Sequence, residues 1–250
     1  MLSKNTLKLI RSLEQKKFRK QHGLFVAEGD KLVEDLLAYY RCRLLVATDE
    51  WLGAHPEISA DSVVKVTPQE LSSASFLRTP QHVLALFVLP EEGNSYPTHS
   101  KGRLSLALDG VQDPGNMGTI IRLADWFGIK DVWCSRQCAD VYAPKTIQAT
   151  MGAIARVSVH YVDLVDWLKQ QDCPVYGTFL DGENVYESAL THDGIIVMGS
   201  EGHGISPEVR ACVSHKLLIP NYPEGEPTSE SLNVSTATAI ICAEFRRRCR

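Results

Sequence analysis

The sequence predicts an α/β fold, and two observations carry this prediction. Apolar runs of strand length, such as 104–109 (LSLALD) and 194–200 (GIIVMGS), alternate with segments whose apolar residues recur at helical spacing, such as 118–128 (GTIIRLADWFG). The strand-like runs are largely apolar instead of alternating with polar residues, which is typical of a parallel sheet covered on both faces. We therefore expect a mostly parallel sheet with helices on both sides.

The first 90 residues have the alternation of a small α/β domain. One basic helix lies near the N-terminus, followed by the strand 24–29 (LFVAEG) and by a helix over 30–40 with Asp30 at its N-cap. Further strands are predicted at 43–48, 62–67 and 82–89, with a short helix at 68–75. Pro, Gly, Ser and Asn are then concentrated without periodicity, which indicates a linker. The predicted boundaries are 1–90 for a first domain, 91–103 for the linker and 104–250 for a second domain.

The second predicted domain alternates strands and helices more regularly. After the strand at 104–109, strands are predicted at 131–134, 156–162, 174–180, 194–200 and 215–220. Helices are predicted at 118–128, 143–153, 162–171, 206–213 and 231–248. This order is typical of βαβ units, in which successive strands lie parallel and each crossover is a helix.

Composition limits the classes of protein to which the chain can belong. The 250 residues carry a net charge of −4, 44% of them are hydrophobic, and the longest apolar runs are too short to cross a bilayer. The seven cysteines form no CxxC pair, so we expect a reduced, cytoplasmic protein without a structural zinc site or other metal. Neither a signal peptide nor a contact with a membrane is expected.

Charge is distributed unevenly along the chain. Residues 1–43 contain ten Lys and Arg against five Asp and Glu, and the C-terminal FRRRCR adds four arginines. Basic patches on an acidic protein are compatible with nucleic-acid contact, here at both ends of the chain. The alternative is a solvated helix face and a frayed tail.

Three polar loops follow predicted strands, at the edge where open α/β sheets bind ligands. They span 109–118, 197–206 and 217–240, the last of which runs into the final helix. The second contains Gly199, Gly202 and Gly204, but its GxxGxG spacing differs from the GxGxxG of a dinucleotide-binding fold. Within it, His203 is interpreted as a surface residue. Taken singly, each loop has an ordinary structural explanation, such as a turn or a helix cap.

Taken together, the three loops are far more specific. The ordered set DPGNMGTIIR, GSEGHGIS and IPN…SLNVSTATAI closely resembles the three motifs of the SpoU (TrmH-like) family of RNA ribose 2′-O-methyltransferases in the SPOUT superfamily. The resemblance covers 104–247, and FVAEGDKLVEDLL resembles the substrate-binding domain of many members. It implies a C-terminal SPOUT domain with a trefoil knot, S-adenosyl-L-methionine as the cofactor, rRNA or tRNA as the substrate, and a homodimer.

The resemblance also implies a catalytic set and a cofactor-binding set. The catalytic set is Asn116, Arg122, Glu201, Ser231 and Asn233, and the cofactor-binding set is Gly199, Glu201, Gly202, Ile219, Leu232 and Asn233. Asn116 would lie in a loop and Arg122 on the first turns of the next helix, facing the same place. Methyl transfer to a ribose requires that the 2′-hydroxyl is positioned and loses its proton. Arg122 would either accept this proton or clamp the adjacent phosphate, and the clamp is favoured because a guanidinium is a poor base.

Two other functions are compatible with parts of the sequence. A non-catalytic knotted RNA-binding protein, such as a ribosome-assembly factor, would share the fold but would not need the intact catalytic set. A nicotinamide or nucleotide enzyme would use GSEGHG as a phosphate loop, but no early GxGxxG is present. A methyl-transfer assay distinguishes a methyltransferase from the non-catalytic RNA-binding protein. A binding titration that compares NAD with S-adenosylmethionine distinguishes it from the nicotinamide or nucleotide enzyme.

Overall fold

The computed structural model describes residues 2–90, 102–223, 226 and 228–248 of the chain. Contacts between residues divide the chain into two compact units. The first comprises Met1–Glu92 and Asp140–Ala155, and the second comprises Gly93–Ala139 and Arg156–Arg250. The predicted linker 91–103 lies largely outside the described residues, and the predicted domain boundaries stay predictions.

The first unit is built on a four-stranded sheet. Its strands are β1 (Leu24–Glu28), β2 (Cys42–Ala47), β3 (Val63–Lys65) and β4 (Val83–Val88), in the order β1-β4-β2-β3. Strand β4 pairs antiparallel with β1 and β2, whereas β2 and β3 are parallel. Its helices are α1 (Lys4–Ser12), α2 (Lys16–His22), α3 (Asp30–Leu37), α4 (Asp49–Ala54) and α5 (Pro68–Ala74). The apolar sides of α1 and α5 pack on the sheet through Ile10, Leu71 and Ala74.

A segment from much later in the sequence completes the first unit. It contains α7 (Pro144–Thr150) and a single 3₁₀ turn at Ala153–Ala155. The guanidinium of Arg19 is almost fully buried and donates to the Asp140 carboxylate at 2.6 Å and to two carbonyl oxygens of the α1–α2 turn at 2.7 Å. Because a buried charge without a partner is strongly destabilising, Asp140 is an integral part of this unit.

The second unit is built on a six-stranded sheet. Its strands are β5 (Leu104–Asp109), β6 (Asp131–Ser135), β7 (Ser158–Val162), β8 (Val175–Asn184), β9 (Gly194–Gly199) and β10 (His215–Leu218). They lie in the order β10-β8-β9-β5-β6-β7, and every neighbouring pair is parallel. The next strand after β5 in the chain is β6, which lies on one side of the neighbouring pair β9 and β5. The next strand after β9 is β10, which lies on the other side of this pair. The carboxyl ends of β5 and β9 therefore form a switch point, where such sheets bind ligands.

Helices cover the sheet of the second unit. They are α6 (Pro114–Trp126), α8 (Leu164–Leu168), α9 (Pro207–Arg210) and α10 (Val234–Arg248). Buried Ala107, Ile195 and Val197 of the strands pack with Trp167 of α8 and Val209 of α9. Helices α6 and α10 pack against each other and contact β6 and β9. This burial is the physical reason why the strands are apolar along their length.

The structure confirms the α/β class, the small N-terminal α/β module and the mostly parallel sheet. Strand β8 extends four residues beyond its predicted end, and the other main differences from prediction lie in the helices. The basic N-terminal segment forms two helices, α1 and α2, instead of one, and α4 was not predicted. Helix α3 has Gly29 and not Asp30 at its N-cap. Within the described ranges, no helix has the length and apolarity needed to span a membrane. The trefoil knot implied by the resemblance stays a prediction.

Candidate active site

Helix α6 begins four residues earlier than the sequence analysis predicts. Asp113 is its N-cap and accepts from the backbone N–H of Asn116 at 2.9 Å, and Pro114 occupies the first helical position. An acidic N-cap followed by Pro is a strong helix start, because Pro lacks the N–H that a first turn leaves unpaired. Asn116 therefore lies in the first turn of α6 and not in a loop, which holds its backbone close to the end of β5.

The loop after β9 is a tight turn that is held from both sides. The backbones of Ser200 and Gly204 exchange two hydrogen bonds, at 3.0 and 2.8 Å. A Cβ on Gly199 would lie 2.1 Å from the carbonyl carbon of Gly204, so the turn folds back directly over this glycine. The carboxylate of Asp109, the last residue of β5, accepts from the N–H of Ser206 at 2.8 Å. The turn is thereby fixed beside the end of β5.

Asn233 caps helix α10. Its side-chain oxygen accepts from the N–H and the hydroxyl of Ser235 at 3.0 and 2.6 Å, and from the N–H of Thr236 at 3.3 Å. An Asn in this position satisfies donors that the first turn of a helix leaves without partners. Because the oxygen is committed to the helix, the side-chain NH₂ of Asn233 is left to donate elsewhere.

Three predicted site residues meet at this edge of the sheet. Oε1 of Glu201 accepts from the amide nitrogen of Asn116 at 2.5 Å and from that of Asn233 at 2.6 Å. The nitrogen of Asn233 also donates to Oδ1 of Asn116 at 3.1 Å. The three side chains form a closed ring of hydrogen bonds, which we call the amide–carboxylate triangle. Each member restrains the other two, so the triangle is a preorganised polar group.

Arg122 and Ser231 do not join the triangle. Within the described residues, Arg122 is exposed and has no ion pair or hydrogen bond, unlike a structural arginine on a helix surface. It lies six residues after Asn116, which on an α-helix corresponds to a rise of about 9 Å and a rotation of about 120° between side chains. Within one chain the two side chains therefore leave α6 in different directions, contrary to expectation. Ser231 is exposed and also lacks a partner in the part of the chain that the structure describes.

The predicted cofactor-binding residues include exposed apolar and polar groups. Leu232 is 46% exposed, and Ile219, directly after β10, is half-buried. A Cβ on Gly202 would meet no atom within 4 Å, so the space over its backbone is open. An adenine ring requires an apolar surface with polar groups at its edge, and a sulfonium is favoured near a carboxylate such as that of Glu201. This donor and acceptor set fits S-adenosylmethionine.

Three side chains that shape this edge are not among the site residues predicted from the sequence. Asp109 and Asp113 hold the turn after β9 and the start of α6, and the hydroxyl of Ser135 accepts from the N–H of Gly110 at 2.9 Å. Gly110 has a φ of 68°, a backbone conformation that favours glycine. For Asp109 and Ser135, the only signal in the sequence was their position at the ends of two predicted strands, which are neighbours and parallel in the sheet.

Arginines near the C-terminus are part of the fold. Arg246 donates to the carbonyl oxygen of Phe127 at 2.7 Å. Hydrogen bonds from Arg247 and Arg248, at 2.7 to 2.8 Å, hold the pKa of the Glu244 carboxyl at about 2. These three arginines have protein partners, and Arg250 lies outside the described residues. Contact of the basic tail with RNA stays a prediction.

The basic N-terminal segment contains cations that remain available. Lys4 and Lys8 are exposed on α1, one helical turn apart, and neither has a partner among the described residues. Arg11 continues the same side of the helix, although it also donates to the carbonyl oxygen of Ser73 at 2.7 Å. This stripe is suited to phosphate contact, whereas the buried Arg19 is not.

Comparisons with known proteins identify both parts of the chain. The model of the SpoU rRNA Methylase family matches residues 103–243, and the model of the MRM3-like substrate binding domain matches residues 4–85. The 23S rRNA (guanosine(2553)-2′-O)-methyltransferase RlmP of Bacillus subtilis is 30% identical over an alignment that covers 94% of this chain and 94% of its own length.

Solved structures agree with these matches. A TrmH-family protein from Porphyromonas gingivalis is 46% identical, with a TM-score of 0.88 and 99% of both chains covered. An rRNA methyltransferase from Sinorhizobium meliloti with bound AdoMet is 26% identical, with a TM-score of 0.86, and the match covers 100% of this chain and 97% of that one. The chain, with its three motifs gathered at one edge of a parallel sheet, belongs to the SpoU rRNA methylase family.

Proposed function

We propose that the chain transfers a methyl group from S-adenosylmethionine to the 2′-hydroxyl of a ribose in ribosomal or transfer RNA. The amide–carboxylate triangle carries the proposal, because it joins one side chain from each of the three motifs. Family membership supports the reaction, RlmP is named as a 2′-O-methyltransferase, and the S. meliloti structure contains AdoMet. A cytoplasmic location, as expected from the sequence, is also part of the proposal.

The chain would contribute mainly binding and orientation. When bound, S-adenosylmethionine supplies a methyl group that is already activated on a sulfonium. Ile219, Leu232 and the open backbone at Gly202 would hold it beside Glu201. The triangle would orient the ribose hydroxyl, and orientation of two reactants can lower a barrier by about 7–11 kcal/mol.

Arg122 would act on the charge of the substrate. A guanidinium stays protonated at physiological pH, so Arg122 would pair with the phosphate next to the methylated ribose. Its field would also favour the alkoxide that develops as the 2′-hydroxyl releases its proton to solvent. The methyl group moves from sulfur to the ribose oxygen, and S-adenosylhomocysteine is the leaving group. Because Arg122 leaves α6 in a different direction from Asn116, we infer that it serves the active site of a second copy of the chain.

A homodimer through α6 would bring Arg122 to that second site. Gly115, Thr119, Arg122 and Trp126 recur at i, i+4, i+7 and i+11, and therefore lie along one side of α6. Trp126 is 82% exposed. Small residues allow two helices to approach closely, and a Trp is the side chain that most often anchors an interface. An isologous dimer would place each Arg122 against the partner copy.

Replacing Trp126 with glutamate is expected to convert this dimer into a monomer. Truncating or charging a central aromatic anchor costs an interface about 2 kcal/mol or more, and a buried carboxylate without a partner adds to that cost. Trp126→Phe keeps an apolar ring and is the matched control, which should stay dimeric. Sedimentation equilibrium on the full-length protein measures both. A Trp126→Glu variant that remains a dimer would contradict the α6 interface and leave the proposed reaction unaffected.

The proposed reaction is tested directly with tritium-labelled S-adenosylmethionine. The full-length protein is incubated with total ribosomal and transfer RNA from cells that lack its gene, and the RNA is digested to nucleosides. Label is expected in a 2′-O-methylnucleoside. Label in a base-methylated nucleoside would contradict ribose transfer, and RNA that stays unlabelled would contradict a methyltransferase acting on these RNAs.

A further inference from the structure

A cleft of about 660 Å³ lies within the second unit beside the amide–carboxylate triangle. It is lined by the turn 200–204 after β9, by 109–113 after β5, by 135–137 after β6, by 162–165 at the start of α8, and by 206–209 around α9. Its volume is in the range of small-molecule sites. Glu201 belongs to both the cleft and the triangle, so a group in the cleft lies next to the predicted site of methyl transfer.

Two oppositely charged side chains line this cleft without pairing. Arg136 directly follows β6, and Glu208 lies in α9. Both are exposed, and neither side chain has an ion pair or hydrogen bond among the described residues. Because this guanidinium and this carboxylate line the same cleft without forming an ion pair, there is space between them for a ligand. A ligand with acceptors on one edge and donors on another would satisfy both.

The remaining lining residues favour a nucleobase over a phosphate. Five carboxylates border the cleft, from Asp109, Asp113, Asp163, Glu201 and Glu208, against the single guanidinium of Arg136. Their field opposes the entry of a phosphate. The apolar side chains that line the cleft are Val162, Leu164 and Val209, which are almost fully buried, and the half-buried Val165, against which the face of an aromatic ring can pack. The cleft therefore suits an uncharged ring with polar edges.

Guanine carries hydrogen-bond donors on one edge and acceptors on another, as Glu208 and Arg136 require. Its N1–H and N2–H₂ donate side by side, which matches the two oxygens of a carboxylate, and its O6 and N7 accept from the fork of an arginine. Adenine lacks the N1–H, and the Watson–Crick edge of uracil has one donor between two acceptors. We propose that the cleft binds the base of the methylated nucleotide and selects guanine, with Glu208 accepting from N1–H and N2–H₂ and Arg136 donating to O6 and N7. This inference rests on the proposed function, since it requires RNA as the substrate.

Nucleoside analysis of the labelled RNA tests the selection of guanine. With the full-length wild-type protein and total RNA from cells that lack its gene, label is expected in 2′-O-methylguanosine. Arg136→Ala and Glu208→Gln should each lower kcat/KM by about 10- to 100-fold, the size of one lost bidentate base contact. The Kd for S-adenosylmethionine and the melting temperature should not change, because neither side chain has an ion pair or hydrogen bond among the described residues.

Lys130→Ala is the matched control. Lys130 is exposed and directly precedes β6, so this variant removes a positive charge from the opposite end of the strand that Arg136 follows. It should keep the wild-type kcat/KM. If wild-type protein labels RNA but the product is another 2′-O-methylnucleoside, or if both cleft variants keep the wild-type kcat/KM, the guanine site is wrong while the proposed function stands. If no label enters RNA, both are wrong.

Discussion

The Arg122→Ala variant is expected to lose methyl transfer to RNA by about 100-fold or more, while its Kd for S-adenosylmethionine stays unchanged. Removing one group that stabilises charge developing in a transition state typically costs 10²–10³ in kcat. The cofactor should be unaffected, because the residues that fit it lie at the ends of β9 and β10 and at the start of α10, and Arg122 has no hydrogen bond or ion pair with any of them among the described residues. Single-turnover rates at saturating S-adenosylmethionine measure the first effect, and isothermal titration calorimetry measures the second.

Arg122→Lys is the conservative control for this prediction. It keeps the positive charge but loses the planar fork that pairs with phosphate in a bidentate manner, so only partial recovery of the rate is expected. Full recovery would indicate that charge alone matters. Near-wild-type turnover by Arg122→Ala would exclude the role that we assign to this residue.

Mixing two inactive variants distinguishes an Arg122 that acts within its own chain from one that acts in the partner. If Arg122 serves the second copy, a mixed dimer of Arg122→Ala and Glu201→Gln chains contains one site with both residues intact. Random mixing should then restore about a quarter of wild-type activity, since half of the dimers are mixed and each has one intact site of two. Activity that stays at the level of the separate variants would place Arg122 and Glu201 of the same chain in one site.

The parallel sheet was predictable because its cause is local in the sequence. Strands such as β5 and β9 are buried on both faces, so most positions along them select an apolar residue, and this pattern is visible without any alignment. The gathering of Asn116, Glu201 and Asn233 was also predictable, but only through the family resemblance, since nothing in the spacing of three distant motifs fixes a hydrogen bond between them.

The start of α6 was mispredicted although its signal is local. Asp113 and Pro114 are an N-cap and a first-turn proline, but Gly115 and Gly118 have low helix propensity and favoured a loop. Capping and tertiary contact prevailed, because the first turn of α6 is held by Asp113 and its Asn116 is tied to Glu201. The low helix propensity of two glycines therefore destabilises this turn less than the cap and the hydrogen bond to Glu201 stabilise it.

Other features have no local signal at all. Arg19 and Asp140 are 121 residues apart and meet in the first unit, so no window of sequence relates them. Arg136 and Glu208 line one cleft because β6 and β9 end at the same edge of the sheet, and each is an ordinary surface residue when the sequence is considered alone. Such residues become visible only when the order of the strands is known.

Gly199→Ala is expected to disrupt the turn after β9 and to abolish binding of S-adenosylmethionine. The added Cβ would lie 2.1 Å from the carbonyl carbon of Gly204 and 2.3 Å from the nitrogen of Ile205, and both are backbone atoms. They have little freedom to move, because Gly204 exchanges two hydrogen bonds with Ser200. Forcing a methyl group into packed structure costs about 1–3 kcal/mol or more. We expect a loss of at least that size, measured by denaturant unfolding, together with loss of the calorimetric binding signal.

Gly202→Ala is the matched control for Gly199→Ala. It replaces a glycine in the same turn at a position where no backbone atom lies close to the added methyl group. A Cβ on Gly202 meets nothing within 4 Å, and its φ is not in the left-handed region, so its free energy of unfolding should stay within about 0.5 kcal/mol of wild type. The pair separates two explanations of the Gly-rich motif. If flexibility were the reason for its glycines, both variants should be equally destabilised. If close packing of the turn against β9 is the reason, only Gly199→Ala should unfold early, and a Gly199→Ala protein with wild-type stability and cofactor affinity would refute the packing that positions Glu201.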